Sequence, residues 1–171
     1  MTPRRGRLLT MSTERRFPPP RGDERTVTLG WLDWQRATVH RKCEGLGDAD
    51  ARRQVLETSE LTVASLVTHL RWVEWGWFER SFLGAPAREA CADWVVGPEP
   101  LGEILAAYDA QCVRSRTIVE QHDFDELEAY APAGVELVSL RWIVGHVVEE
   151  TARHVGHLDL IREALDGARG Y

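Results

Sequence analysis

Lysine is nearly missing from this sequence: Lys42 stands alone, and arginine carries the rest of the positive charge. Acidic residues outnumber basic ones, 27 against 21, for a formal charge of -6. A chain without a basic surface suits the phosphate backbone poorly, which excludes nucleic acid as the main partner. No apolar run approaches the ~20 residues that cross a bilayer, so no membrane partner is expected. The N-terminal Arg4, Arg5 and Arg7 lack the apolar core of a signal peptide, so export is not expected either. Cysteine is scarce. Cys43, Cys91 and Cys112 are odd in number, far apart and without CxxC spacing. That excludes a disulfide framework and a cysteine metal site, and points to reduced thiols in a cytoplasmic protein.

Alternating strand patterns and internal repeats are also absent. What remains is helical, in a chain of 171 residues with room for one domain and a proper core. Residues 1–25 read as a flexible arm, arginine-rich at first and then broken by Pro18, Pro19 and Pro20. Met11 offers an alternative start. Residues 26–171 read as the folded unit.

The first helix is expected from about Thr26 to Cys43, with Val27, Trp31, Trp34 and Thr38 on its stripe. Gly45 is placed for a left-handed cap, and Asp48 for capping a short turn through Val55. The second long helix starts at a Ser59 or Thr62 cap and carries Leu66, His69, Leu70, Val73 and Trp77 on one side. Residues 84–100 form a long connection, with Trp94 as a plug, which suggests an overhand crossing instead of a tight hairpin. The third helix spans about Leu101 to Gln121, and an acidic loop runs from His122 to Val138. The fourth helix, capped by Ser139, runs from Leu140 to Leu165. The fold class is all-α, a four-helix bundle with its long crossover between helices two and three.

The fourth helix holds the chemical clue. Leu140, Val144, Val147, Thr151, His154, Leu158, Ile161 and Leu165 follow the four-three spacing of a bundle seam. His154 lies in that seam and Glu150 one turn before it, only about 40° apart around the axis. On the second helix His69 likewise falls among apolar positions. Burying such groups unpaired is costly, and a divalent metal held by His69, Glu150 and His154 would offset the cost. Three ligands leave a coordination position open, as catalytic zinc sites do, and the set also suits iron(II) or nickel. The plain alternative is a Glu150–His154 core ion pair. His146 and His157 border the same face, as outer hydrogen-bonding residues or half-exposed packing histidines, with His157 the best candidate for a general base. Arg71, Arg153 and Arg162 are candidates for a substrate carboxylate, with helix-surface solvation the simpler account. Glu74 and Glu149 read as solvated, and His40 and His122 have no partner at a telling spacing.

The LVTHL of the second helix, the EETARHVGHLDLIREAL of the fourth, and GDERT and LDWQRATVHRKCEGL near the start resemble the DinB-like superfamily. More narrowly they resemble its DUF664 branch, related to the mycothiol-dependent maleylpyruvate isomerase fold. The resemblance covers nearly everything from Gly22 onward. It implies that His69, Glu150 and His154 hold a divalent metal, zinc first. Many members have histidine at the position of Glu150, and glutamate matches the isomerase-like variant. It further implies a low-molecular-weight thiol such as mycothiol as cofactor, and S-transfer or thiol-assisted isomerisation of a small-molecule substrate. Two other functions fit the residues: a metal-dependent small-molecule hydrolase, and a non-catalytic, stress-associated metal-binding bundle acting as a homodimer. A cleft beside the ligands walled by Trp31, Trp72 or Trp142 would favour an enzyme, and the lack of a pocket there the binding protein.

Overall fold

The computed structural model describes residues 14–88 and 93–170; Cys91 and the first thirteen residues lie outside them. The described chain is all-α: α1 (Glu24–Cys43), α2 (Asp48–Ala51), α3 (Val63–Glu74), α4 (Leu101–Gln121) and α5 (Leu140–Asp166). No strand occurs among the described residues, only an isolated bridge between Leu127 and Ser139. The helix α1 packs against α5, and α3 packs against both α4 and α5.

Local chemistry sets the helix ends. Asp23 accepts a hydrogen bond from Thr26 N and caps α1. Thr62 and Ser65 form a reciprocal capping box at the start of α3, which settles the choice between Ser59 and Thr62. Ser139 caps α5 through Trp142 N. Beyond α1, Gly45 takes φ +75°, a region side chains other than glycine's rarely adopt. Asp48 does not cap its own turn. Gly47 holds that position, and the Asp48 carboxylate instead accepts from Leu101 N at 2.8 Å, tying α2 to the start of α4. The second long helix continues from α3 as a π-helical segment, Trp75–Phe82, which its sequence did not announce.

The core divides into two apolar clusters. One gathers Val39, Leu66, Leu70, Tyr108, Val155 and Leu158; the other gathers Leu32, Phe78, Ile118, Ile143, Val144 and Val147. A polar layer lies between them along each helix. Arg36 and Glu74 face each other there, Nε–Oε1 and Nη2–Oε2 both 2.7 Å, with Cys112 Sγ 3.8 Å from Glu74 Oε1. Glu74 is 1% exposed, so it is a core ion-pair partner and not a solvated residue.

Arg36 belongs to the buried face of α1, which includes Leu32, Thr38, Val39 and Cys43; of the expected stripe Thr38 is buried, while Trp31 is exposed and Trp34 half-buried. Trp34 is covered by the segment before the helix, where Phe17 stacks on it with ring centroids 4.0 Å apart. Pro18 meets Gly30 so closely that a Cβ there would lie 2.6 Å from it. Arg162 is also buried, at 9% exposure. It donates to the carbonyls of Lys42 at 2.7 Å and Glu44 at 2.9 Å, so it caps the end of α1 and is not a substrate anchor.

Candidate metal centre

Glu150, Thr151 and His154 occupy the turn of α5 between Val147 of one cluster and Val155 of the other. His69 reaches the same place from α3. One ligand atom from each of His69, Glu150 and His154 lies within 4.8 Å of the others. The His69 and His154 rings meet edge to face, and His154 Nε2 stands 3.3 Å from Glu150 Oε2. His69 and His154 are 8% and 6% exposed; Glu150 is half-buried.

The remaining ring nitrogens have partners. His69 Nδ1 donates to Asp93 Oδ1 at 2.7 Å, since the carboxylate can only accept. His154 Nδ1 lies 3.2 Å from His157 Nδ1. With His154 as donor in that pair, both ligand candidates keep the lone pair of Nε2. Metal-binding histidines take this form, the second ring nitrogen held by a carboxylate or another acceptor. His154 is also biased towards the neutral state a metal requires: burial lowers its pKa, and nearby His69 lowers it further against the opposing pull of Glu150. The donors are spread wider, at up to 4.8 Å, than the ~3.4 Å that two bonds of about 2.1 Å span at a tetrahedral angle. A bound ion would have to draw the three side chains together. The residues fit a divalent cation, with two imidazoles and one carboxylate as the set.

His146 sits one turn before Glu150, its Nε2 3.9 Å from Glu150 Oε1, beyond hydrogen-bond length. Its ring stacks on Trp142 at 5.0 Å and takes the edge of Trp77 at 4.8 Å, forming an aromatic wall beside the carboxylate. Arg153 is exposed and paired with Glu149 at 2.6 Å. Arg71 lies over the Trp72 ring at 5.0 Å. The two remaining histidines do have partners: His40 Nε2 lies 2.6 Å from Asp109, and His122 Nδ1 2.9 Å from Glu126.

Trp31 and Trp72 wall other spaces. A cavity of about 520 Å³ between α1 and the far side of α5 is lined by Phe17, Trp31, Trp34, Lys42 and Asp159. Another, of about 290 Å³, is lined by Trp72, Arg71, Val95 and Glu103. None of the three ligand candidates lines either one. Asp93 is not legible in the sequence because it lies in an aperiodic connection; its only signal there is an acid beside the expected plug, Trp94. Burial drives the Cys43 thiol up to about 12 and the Cys112 thiol well above its ordinary value, so neither serves as a thiolate near neutral pH.

The helices and the His–Glu–His cluster define an all-α protein with a candidate cation site in its core. A family profile described as mycothiol-S-transferase matches residues 27–167, and the chain belongs to that DinB-like family. No curated protein matches it. Among the described residues, no helix is long and apolar enough to cross a membrane.

Proposed function

We propose that the protein is a metal-dependent S-transferase that joins the sulfur of a mycothiol-type thiol to a small electrophilic substrate. His69, Glu150 and His154 are its metal ligands, and zinc is the ion of first choice. The four long helices act as one bundle, residues 26–171, with residues 84–100 crossing over between the second and third and residues 1–25 as an arm. When bound, a divalent ion would lower the pKa of a thiol enough for it to ionise near neutral pH. The protein's own groups prepare for that. Asp93 and His157 hold the ring nitrogens remote from the cluster, and Glu150 supplies negative charge to offset a buried cation. The Trp77–Trp142–His146 rings give that side of the cluster an aromatic border. Among the described residues, Cys43 and Cys112 are buried and burial raises both thiols, so neither is suited to supply the reacting sulfur.

One observation carries this proposal: three potential ligands from two helices meet within 4.8 Å in a chain of the mycothiol-S-transferase family. Zinc-loaded protein should conjugate a simple electrophile to mycothiol in a panel of thiols, and His154→Ala should abolish it. No turnover with any thiol would sink the transferase. The position of both cavities away from the cluster favours a second function, a metal-binding protein without catalysis. Tight metal binding with no turnover would support it.

A further inference from the structure

Two adjacent residues of the connection between α3 and α4 hold His69 by different means. Asp93 Oδ1 accepts from His69 Nδ1 at 2.7 Å. Trp94 lies flat on the same imidazole, with ring centroids 3.9 Å apart and planes within 9°. The Trp94 ring then turns its edge towards His154, at 5.7 Å and 66°. The His69 ring also meets His154 itself, edge to face. Both loop residues are largely exposed, at 49% for the Asp93 side chain and 43% for Trp94. An ion pair at such exposure adds little to stability. Its effect is on orientation.

We infer that Asp93 and Trp94 are positioning residues for His69. Asp93 fixes the proton on Nδ1 and leaves Nε2 as the donor, while Trp94 fixes the plane of the ring and shields it from water. The helix α3 delivers the imidazole, but a histidine side chain has two rotatable bonds and two tautomers. Nothing in α3 itself selects between the tautomers. The crossover connection is long for a link between helices, and its turn at Asp93 and Trp94 gives that length a purpose by completing the donor set. This inference rests on the metal-site assignment for His69, yet the tautomer is readable without any metal.

The test uses the full-length, metal-free protein. Long-range proton–nitrogen correlation spectra, assigned with His69→Gln, should show wild-type His69 protonated at Nδ1. In Asp93→Ala the ring should become a mixture of tautomers, while Asp93→Glu should restore the wild-type form. Trp94→Ala should leave the tautomer intact. Titration with cobalt(II) should then show affinity lowered about 10–100-fold in Asp93→Ala, the range usual for loss of an outer partner of a metal-binding histidine. Trp94→Ala should also bind more weakly, with Trp94→Phe largely recovering. Wild-type His69 protonated at Nε2, or equal cobalt affinity in wild type and Asp93→Ala, overturns the inference. Failure of wild type to bind cobalt at all would instead remove the metal assignment, and the spectra would still decide what Asp93 does.

Discussion

His69 and His154 meet edge to face with ring centroids 4.7 Å apart and planes at 74°, one from α3 and one from α5. Burial disfavours protonation of His154, and the nearby His69 imidazole adds to the effect. A cation bound between them would reverse the penalty and tie the two helices together. Chelator should therefore lower the melting temperature of the purified protein. Binding to the native state alone stabilises by about 2.7 kcal/mol when free ligand is at 100 times its Kd. Melting curves of wild type and of His154→Ala with and without chelator check this. The variant should melt at the same temperature in both.

The Arg36–Glu74 pair is the second polar feature of the core, and it is structural. Removing one partner leaves a buried charge, so Arg36→Met should cost about 3–5 kcal/mol in urea unfolding. The double variant Arg36→Met/Glu74→Leu should recover most of that loss, because two apolar side chains of similar volume remove both desolvation penalties. A double variant as unstable as the single one would mean that the pair does more than satisfy itself.

Much of the fold is legible in the order of residues alone. The seam of α5, from Leu140 to Ile161, is buried as its four-three spacing demands, and α4 begins and ends at the expected residues. These are long amphipathic segments in which one pattern repeats many times. The errors fall where a single long-range contact outweighs local pattern. Glu74 reads as solvated until Arg36 is seen opposite it, and with Arg36 on the buried face of α1 Trp31 is left exposed. Arg162 reads as solvated until the end of α1 arrives beside it. Asp93 belongs to a connection with no period at all, so only the folded chain brings it to His69.

Acid should expose the cap of α1. Asp23 accepts from the backbone N and the hydroxyl of Thr26, and those bonds hold its carboxyl below its ordinary value. The folded pKa lies beneath the unfolded one, so the stabilisation is fully present above about pH 4 and is lost as pH falls through the folded pKa. Melting temperatures measured from pH 6 downward should show a shallower acid limb in Asp23→Asn, which keeps the cap but cannot titrate. An unchanged limb would assign the acid sensitivity to other carboxylates.

Thiol chemistry separates inside from outside. Cys43 and Cys112 are buried, and burial raises both thiols far from ionisation. A disulfide reagent applied to native protein, followed by peptide mapping, should leave both unlabelled until denaturant is added. Rapid labelling of Cys112 in native conditions would contradict the closed polar layer around Glu74.

On the proposed assignment one cation bridges α3 and α5. Metal analysis after zinc loading and exhaustive dialysis decides it, because a single catalytic-type site implies about one ion per chain. Wild type should retain that ion, and His69→Ala, which leaves the Glu150–His154 pair intact, should lose it. Equal zinc in His69→Ala and wild type would mean that the two helices do not share a metal.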